Sequence, residues 1–174
     1  NIPNGVEILR FVTNHDYNAW DEVPQTVFNG HQGVLAAYVI TAYLGGVPMI
    51  YNGQEVGTAA NIPFFRPTNF TINWSINSNL KAEYSKINKL KINSNALKNG
   101  VIQSFSNNSD ILAFTKSISN EQVLVIVNVR NQNIDFSLPS AIANSNWSNA
   151  FNGNQVSLGN RIQLSPYSYQ ILRR

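Results

Sequence analysis

The sequence predicts an α/β portion over residues 1 to 100 followed by an all-β portion over residues 101 to 174. Three observations carry this reading. Between Glu7 and Tyr51 an apolar run, a polar loop, an apolar helix, a Gly-Gly turn and a second short apolar run succeed one another. Asn99-Gly100 closes a lysine-rich helical stretch. From Val101 onward the apolar residues fall in strand-length runs divided by Asn- and Ser-rich turns.

The first apolar run, Ile8, Leu9, Phe11 and Val12 within Glu7 to Thr13, has the length of a strand buried on both faces. Asn14 to Gln32 reads as a polar loop. Gly33 to Tyr51 is nearly all apolar, and an uninterrupted run of roughly 18 such residues would suggest a membrane span. Gly45-Gly46 and Pro48 interrupt it, leaving a helix from Val34 to Leu44 and a strand from Val47 to Tyr51. Strand, loop, helix, turn and strand make a βαβ unit with parallel strands and a right-handed crossover. Polar loops then leave both strands at their C-terminal ends, where parallel α/β folds carry their chemistry.

Residues 58 to 78 are an irregular stretch with Pro63, Pro67 and several aromatics, longer than a plain connection requires. Asn79 to Ile92 reads as an amphipathic helix with Leu80, Tyr84, Ile87 and Leu90 or Lys91 near one face. Strands are expected at Val101 to Phe105, Ile111 to Ile118, Val123 to Val129, Ile134 to Leu138, Trp147 to Phe151, and Arg161 to Leu164 with Tyr167 to Leu172. Turns are expected at Asn107-Asn108-Ser109, Ser119-Asn120, Asn131-Gln132-Asn133 and Asn152-Gly153-Asn154. Such a pattern is that of an antiparallel β-sandwich. Two parallel strands and one helix cannot cover both faces of a sheet, so residues 1 to 100 are expected to be the last part of a larger barrel or sheet.

Composition narrows the function classes. Hydrophobic residues make up 43% of the chain, enough for a buried core, and charged residues only 12%. The net charge of +3 draws on Lys81, Lys86, Lys89, Lys91 and Lys98, which read as a solvated helix face; no Arg-rich stripe or aromatic interleaving points to nucleic acid. There is no cysteine, which excludes disulfides and Cys-based zinc sites. The opening Asn1-Ile2-Pro3-Asn4 lacks Met, a basic region and an apolar signal core, and is expected to lie inside a longer gene product, so it says nothing of secretion and the location stays open.

The run Phe11-Val-Thr-Asn-His-Asp16 at a strand end resembles the fourth signature region of the α-amylase family, glycoside hydrolase family 13. The order of the later segments adds weight. Gly46-Val-Pro-Met-Ile-Tyr51 and Asn52-Gly-Gln-Glu55 resemble the family's eighth barrel strand and its loop. Ile62-Pro-Phe-Phe65, Trp74, the lysine-rich helix and Asn95-Ala-Leu-Lys-Asn-Gly100 resemble its passage out of the barrel. Leu164-Ser-Pro-Tyr167 with Ile171-Leu172 resembles the end of its C-terminal sandwich.

This resemblance implies that residues 1 to 100 are the last βα units of a (β/α)8 TIM barrel and residues 101 to 174 its C-terminal β-sandwich domain. It implies an enzyme acting on α-glucans such as starch or maltooligosaccharides with retention. Such chemistry needs a carboxylate nucleophile and a carboxylic acid about 5 Å apart. Asp16 would be the third carboxylate, stabilising the positive charge of the transition state. His15 would donate to a hydroxyl of the same sugar, with Asn14 beside it; Tyr17 and Trp20 could stack on pyranose rings or anchor the loop. The family's nucleophile and acid/base belong to strands four and five, which precede residue 1, and neither Asp21, Glu22 nor Glu55 is placed to replace them. This chain alone is therefore expected to be inactive. The resemblance also implies calcium in the parent enzyme, bound by an earlier part of the chain, and no cofactor in this one. The incomplete barrel portion leaves self-association or a partner open. An alternative of a different class is a non-catalytic carbohydrate-binding or structural sandwich, with Trp147, Tyr167 and Tyr169 as its platform.

Overall fold

The computed structural model describes residues 3, 5–65, 69–105 and 109–174. The described residues form two compact units, Asn1–Ile87 and Asn88–Arg174.

In the first unit β1 (Leu9–Phe11) pairs in parallel with β2 (Val47–Met49), Leu9 opposite Val47 and Phe11 opposite Met49. Between them run α1 (His15–Trp20), α2 (Pro24–Val27) and α3 (His31–Tyr43). The βαβ unit is thus as the apolar pattern predicts, but the expected loop from Asn14 to Gln32 contains two short helices. Local chemistry explains them: Asn14 caps α1 through its side chain, and Pro24 starts α2 where a missing N–H costs nothing. Gly33 is buried in α3, and a Cβ there would meet the Phe28 carbonyl oxygen at 1.6 Å, so only glycine lets the end of α2 approach so closely.

Most of α3 is buried, with Val34, Leu35, Tyr38, Val39, Ala42 and Tyr43 at 3% exposure or less. Its apolar content serves a core; no helix among the described residues is long and apolar enough to cross a membrane. The turn into β2 is set by Gly46, at φ +78° and with room for no side chain, since a Cβ would lie 2.2 Å from the Ile8 carbonyl oxygen. Val47 N–H donates to that same oxygen at 2.8 Å, and Arg10 Nε donates to the Gly45 carbonyl at 2.7 Å. Leu9 is 53% and Val47 49% exposed, so neither strand is buried on both faces as the apolar run predicts; within the described residues this sheet has only two strands.

A short 3-10 turn, Gln54–Val56, comes after β2. The irregular stretch from residue 58 then leads to α4 (Ser78–Asn93); residues 66–68 of it, including the expected Pro67, lie outside the described residues. Tyr84 and Ile87 of α4 are buried, the Tyr84 ring 4.7 Å from that of Tyr38. Tyr43 Oη donates to the Ile87 carbonyl, and Gln54 Nε2 donates to Tyr84 Oη. Burial pushes the Tyr84 hydroxyl well above the ordinary phenol range, and the Gln54 hydrogen bond opposes that shift only in part.

The division between the units falls within α4, and residues 88 to 100 group with the strands after them. Helix α5 (Asn95–Asn99) is capped by Ser94 Oγ and packs on two of those strands. Glu121 holds its start, accepting from Ser94 Oγ at 2.6 Å and from Ala96 N–H at 2.9 Å. Lys91 departs from the solvated face expected of it: it is 8% exposed, and its ammonium donates to the Leu97 carbonyl at 2.8 Å. Lys116, 4% exposed, donates to the same oxygen at 2.7 Å. The carbonyls of a helix's last turn have no partners within the helix, and lysine ammoniums satisfy this one.

The second unit carries β3 (Val101–Ser104), β4 (Ile111–Ile118), β5 (Glu121–Asn128), β6 (Ile134–Ser137), β7 (Ser145–Asn149), β8 (Gln155–Leu158), β9 (Arg161–Leu164) and β10 (Tyr169–Arg173). Six of them form an antiparallel sheet in the order β3-β4-β5-β10-β7-β8, and β6 pairs antiparallel with β9. Ile111, Leu124, Ile126, Trp147 and Leu172 of the large sheet pack with Phe136 and Leu164 of the small one in one buried cluster. The sandwich-like antiparallel architecture agrees with the strand spacing. Strand β8 was not expected, because Gln155 to Leu158 has only two apolar residues; it forms as the return arm of a hairpin through Gly153 at φ +78°. Of the turn expected at Asn107-Asn108-Ser109, the first two residues lie outside the described residues.

Trp147 is 1% exposed, donates from Nε1 to Ser145 Oγ at 2.7 Å and carries the Arg174 guanidinium 4.2 Å from its ring centre. Trp147→Ala is expected to destabilise the strand unit by about 3–5 kcal/mol, read as a lower midpoint in urea unfolding followed by circular dichroism. At the surface, Arg130 Nε donates to Asp110 Oδ1 at 2.7 Å and holds the Asp110 carboxyl below the usual carboxylate range. A carboxyl whose folded pKa is lowered stabilises the fold above its unfolded pKa and loses that contribution as pH falls through the folded value. The stability difference between the unaltered chain and Asp110→Asn should therefore be present at neutral pH and vanish on acidification, measured by urea unfolding across the acid range.

Candidate functional site

The candidate residues gather at the C-terminal end of β1. Thr13, 3% exposed, lies just beyond β1, and Asn14 then turns the chain into α1 by accepting the Tyr17 N–H on Oδ1 at 2.9 Å. The cap brings His15 and Asp16 into the first helical turn, His15 Nε2 lying 3.5 Å from Asp16 Oδ2. Both side chains are about three-fifths exposed (59% and 61%), so the pair is screened by water and adds little to stability. Their exposure leaves the imidazole and the carboxylate free to meet a ligand. Tyr17 is 53% and Trp20 66% exposed, and Tyr17 leans on the Phe11 ring at 6.2 Å.

Asn18, unlike its neighbours on α1, is buried at 3% exposure. Its Oδ1 accepts the Ile62 N–H at 2.7 Å, while Asn61 Nδ2 donates to the carbonyls of Asn18 at 2.6 Å and Asp21 at 2.8 Å. These three hydrogen bonds fasten the segment after β2 onto α1. They carry Phe64 to 5.3 Å from the His15 ring and 5.9 Å from that of Trp20, with Phe65 edge-on to Phe64 at 5.0 Å. The sequence marked Phe64 and Phe65 only as part of the Ile62-Pro-Phe-Phe65 segment, not as site residues, and Asn18 and Asn61 were not singled out. The adjacent phenylalanines in an irregular stretch longer than its span requires were the available signal.

The carboxylates considered as substitutes are dispersed. Asp21 and Glu22 are exposed beyond α1, where they border a cavity of about 200 Å³ with Val12, Pro24 and Phe28. Glu55 sits in the 3-10 turn with a buried Oε2. A larger cavity, about 550 Å³, opens between Asn52, Ile62, Pro63, Phe70 and Trp74. Neither cavity is lined by His15 or Asp16. Among the described residues no group of three or more His, Asp or Glu side chains could hold a metal ion. In the second unit the buried Trp147 offers no face to a sugar, and Tyr167 and Tyr169 are half-buried, which leaves the alternative aromatic platform without its tryptophan.

Residues 104–171 match the family described as maltogenic amylase, C-terminal domain. Over 98% of its length the chain is 26% identical to Alpha-amylase 2 of Dictyoglomus thermophilum. The chain is α-amylase-like. It superimposes on AmyP, solved as a variant with maltotriose, at a TM-score of 0.79 and 17% identity, covering 98% of this chain and 42% of that one. It superimposes on the noncanonic maltogenic α-amylase AmyB of Thermotoga neapolitana at a TM-score of 0.74 and 20% identity, covering 99% of this chain and 42% of that one. This α-amylase-like chain spans 30% of the length of the Dictyoglomus relative.

Asn18→Ala leaves the Ile62 N–H without its acceptor and is expected to cost about 1–3 kcal/mol. Amide hydrogen exchange should quicken at Ile62 and through Phe64 and Phe65, while α3 keeps its protection.

Proposed function

We propose that this chain is the C-terminal portion of a retaining α-glucan hydrolase, with Asp16 as its transition-state-stabilising carboxylate. The observation that carries the reading is the exposed His15–Asp16 pair at the C-terminal end of a parallel strand, in a chain that is α-amylase-like over almost its whole length. Residues 1 to 100 are then the last βα units of a (β/α)8 barrel and residues 101 to 174 its C-terminal sandwich. The exposed β1–β2 pair is consistent with this, because earlier strands of a barrel would cover it.

In this reading Asp16 accepts hydrogen bonds from the sugar at the cleavage point and favours the positive charge that develops on its ring. His15 donates to a hydroxyl of the same sugar. Asn14 contributes by holding the turn that presents both. Tyr17 and Trp20 offer apolar faces to neighbouring pyranose rings. The nucleophile and the acid/base come from earlier strands, so the 174-residue chain by itself does not hydrolyse glycosides. Calcium, where the parent enzyme binds it, is held by earlier residues. Maltotriose bound to AmyP supports an α-glucan as the ligand class.

The test is Asp16→Asn in the longer gene product. The substitution keeps size and removes charge, and kcat on maltooligosaccharides should fall by about 100-fold or more. Activity within a few-fold of the unaltered enzyme would overturn the role of Asp16. An upstream sequence lacking an Asp and a Glu at two barrel-strand ends would overturn hydrolysis itself.

A further inference from the structure

We propose that Phe64 and Phe65, with Trp20, form a stacking platform for the glucose unit next to the one that meets Asp16. The inference rests on the reading of Asp16 and His15 as sugar-binding residues and extends it to a segment some fifty residues later in the chain.

The Phe64 ring is the hub, in contact with His15 on one side, Trp20 on another and Phe65 at its edge. Phe64 is 45% and Phe65 76% exposed. Aromatic rings grouped at a surface leave apolar area in water, a cost that a ligand with an apolar face relieves. A pyranose ring has such a face, lined by C–H groups, with hydroxyls around its rim. Polar groups lie on one side of this cluster, the His15 imidazole 5.3 Å from the Phe64 ring and the Asp16 carboxylate 3.5 Å from that imidazole.

The platform is also held in advance of binding. Asn61 and Ile62 are fastened to α1 by three hydrogen bonds, and Pro63 restricts the backbone immediately before Phe64. A ligand meeting rings already in place loses less conformational entropy than one that must order a loop. A second copy of the chain is the weaker occupant. A stable protein interface draws on about 20–30 residues a side, and this cluster is a handful of rings. Its continuity with His15 instead ties it to a sugar one residue away.

The experiment is isothermal calorimetry of the full chain with maltotriose, comparing the unaltered protein with Phe65→Ala, Trp20→Phe, Asp16→Asn and Trp74→Phe. Phe65 is the most exposed of the rings, so its truncation leaves the fold intact, and melting by circular dichroism checks that it does. Phe65→Ala should weaken maltotriose binding by about threefold to tenfold, and Trp74→Phe, bordering a different cavity, should leave it unchanged. If Asp16→Asn weakens binding while Phe65→Ala does not, the platform is overturned and the reading of Asp16 stands. If Phe65→Ala weakens binding and Asp16→Asn has no effect, the rings hold a glucose unit but not one beside Asp16, which overturns the reading of Asp16 and with it the proposal in this form. Absence of maltotriose binding at millimolar concentration overturns the platform. So does a Phe65→Ala change in self-association, by light scattering, with sugar affinity unaltered.

Discussion

The approach of the Ile8 carbonyl to Gly46 fixes the first unit. That oxygen accepts the Val47 N–H at the point where any side chain at position 46 would collide with it, so β2 enters beside β1 in one register only. A one-residue slip would turn each strand's apolar residues to the opposite face. The register also decides which loops meet. Because both strands run the same way, the segments leaving them, Asn14 to Asp21 and Asn52 to Phe65, emerge at one end, where three hydrogen bonds join Asn18 and Asp21 to Asn61 and Ile62.

The two units solve the burial of their sheets differently. In the strand-rich unit each sheet has another against it, and a cluster that includes Trp147, Phe136 and Leu164 fills the space between. Helix α5 packs on β4 and β5, where Phe114, Val123 and Val125 are buried. Lys91 and Lys116 close the end of that helix from two directions on one backbone oxygen. In the first unit the sheet is a single parallel pair, and burial comes from α3 with Tyr84 and Ile87 of α4. Its stability rests on a helix that is apolar almost all round, which is the property that makes the same stretch resemble a membrane segment in the sequence.

How much the sequence disclosed depends on the range of the interactions involved. Strands β4 and β9 match their expected bounds because turn residues flank them, Ser119-Asn120 after β4 and Gly159-Asn160 before β9. Helix α1 was missed because its cause is one side chain, Asn14, bonding three residues ahead within a run that otherwise reads as polar loop. Strand β8 was missed because its residues are mostly polar and pair only through a hairpin partner. In the candidate site, Asn14, His15 and Asp16 were legible because they are contiguous at a strand end. Phe64 and Phe65 were not, since their place beside His15 depends on contacts spanning more than forty residues and on a buried asparagine that looks like any other in so Asn-rich a chain.

The bonds that hold the Asn61–Ile62 segment have a further consequence for how such a site can diverge. Two of the three end on main-chain carbonyls of α1 and its C-cap, and the third engages the main-chain N–H of Ile62. The anchor therefore needs a side-chain acceptor at position 18 and a side-chain N–H donor at position 61 but nothing of the side chains beyond Ile62. Phe64 and Phe65 stand on a mount that does not use their side chains, so those two positions can change one at a time without moving His15 or Asp16.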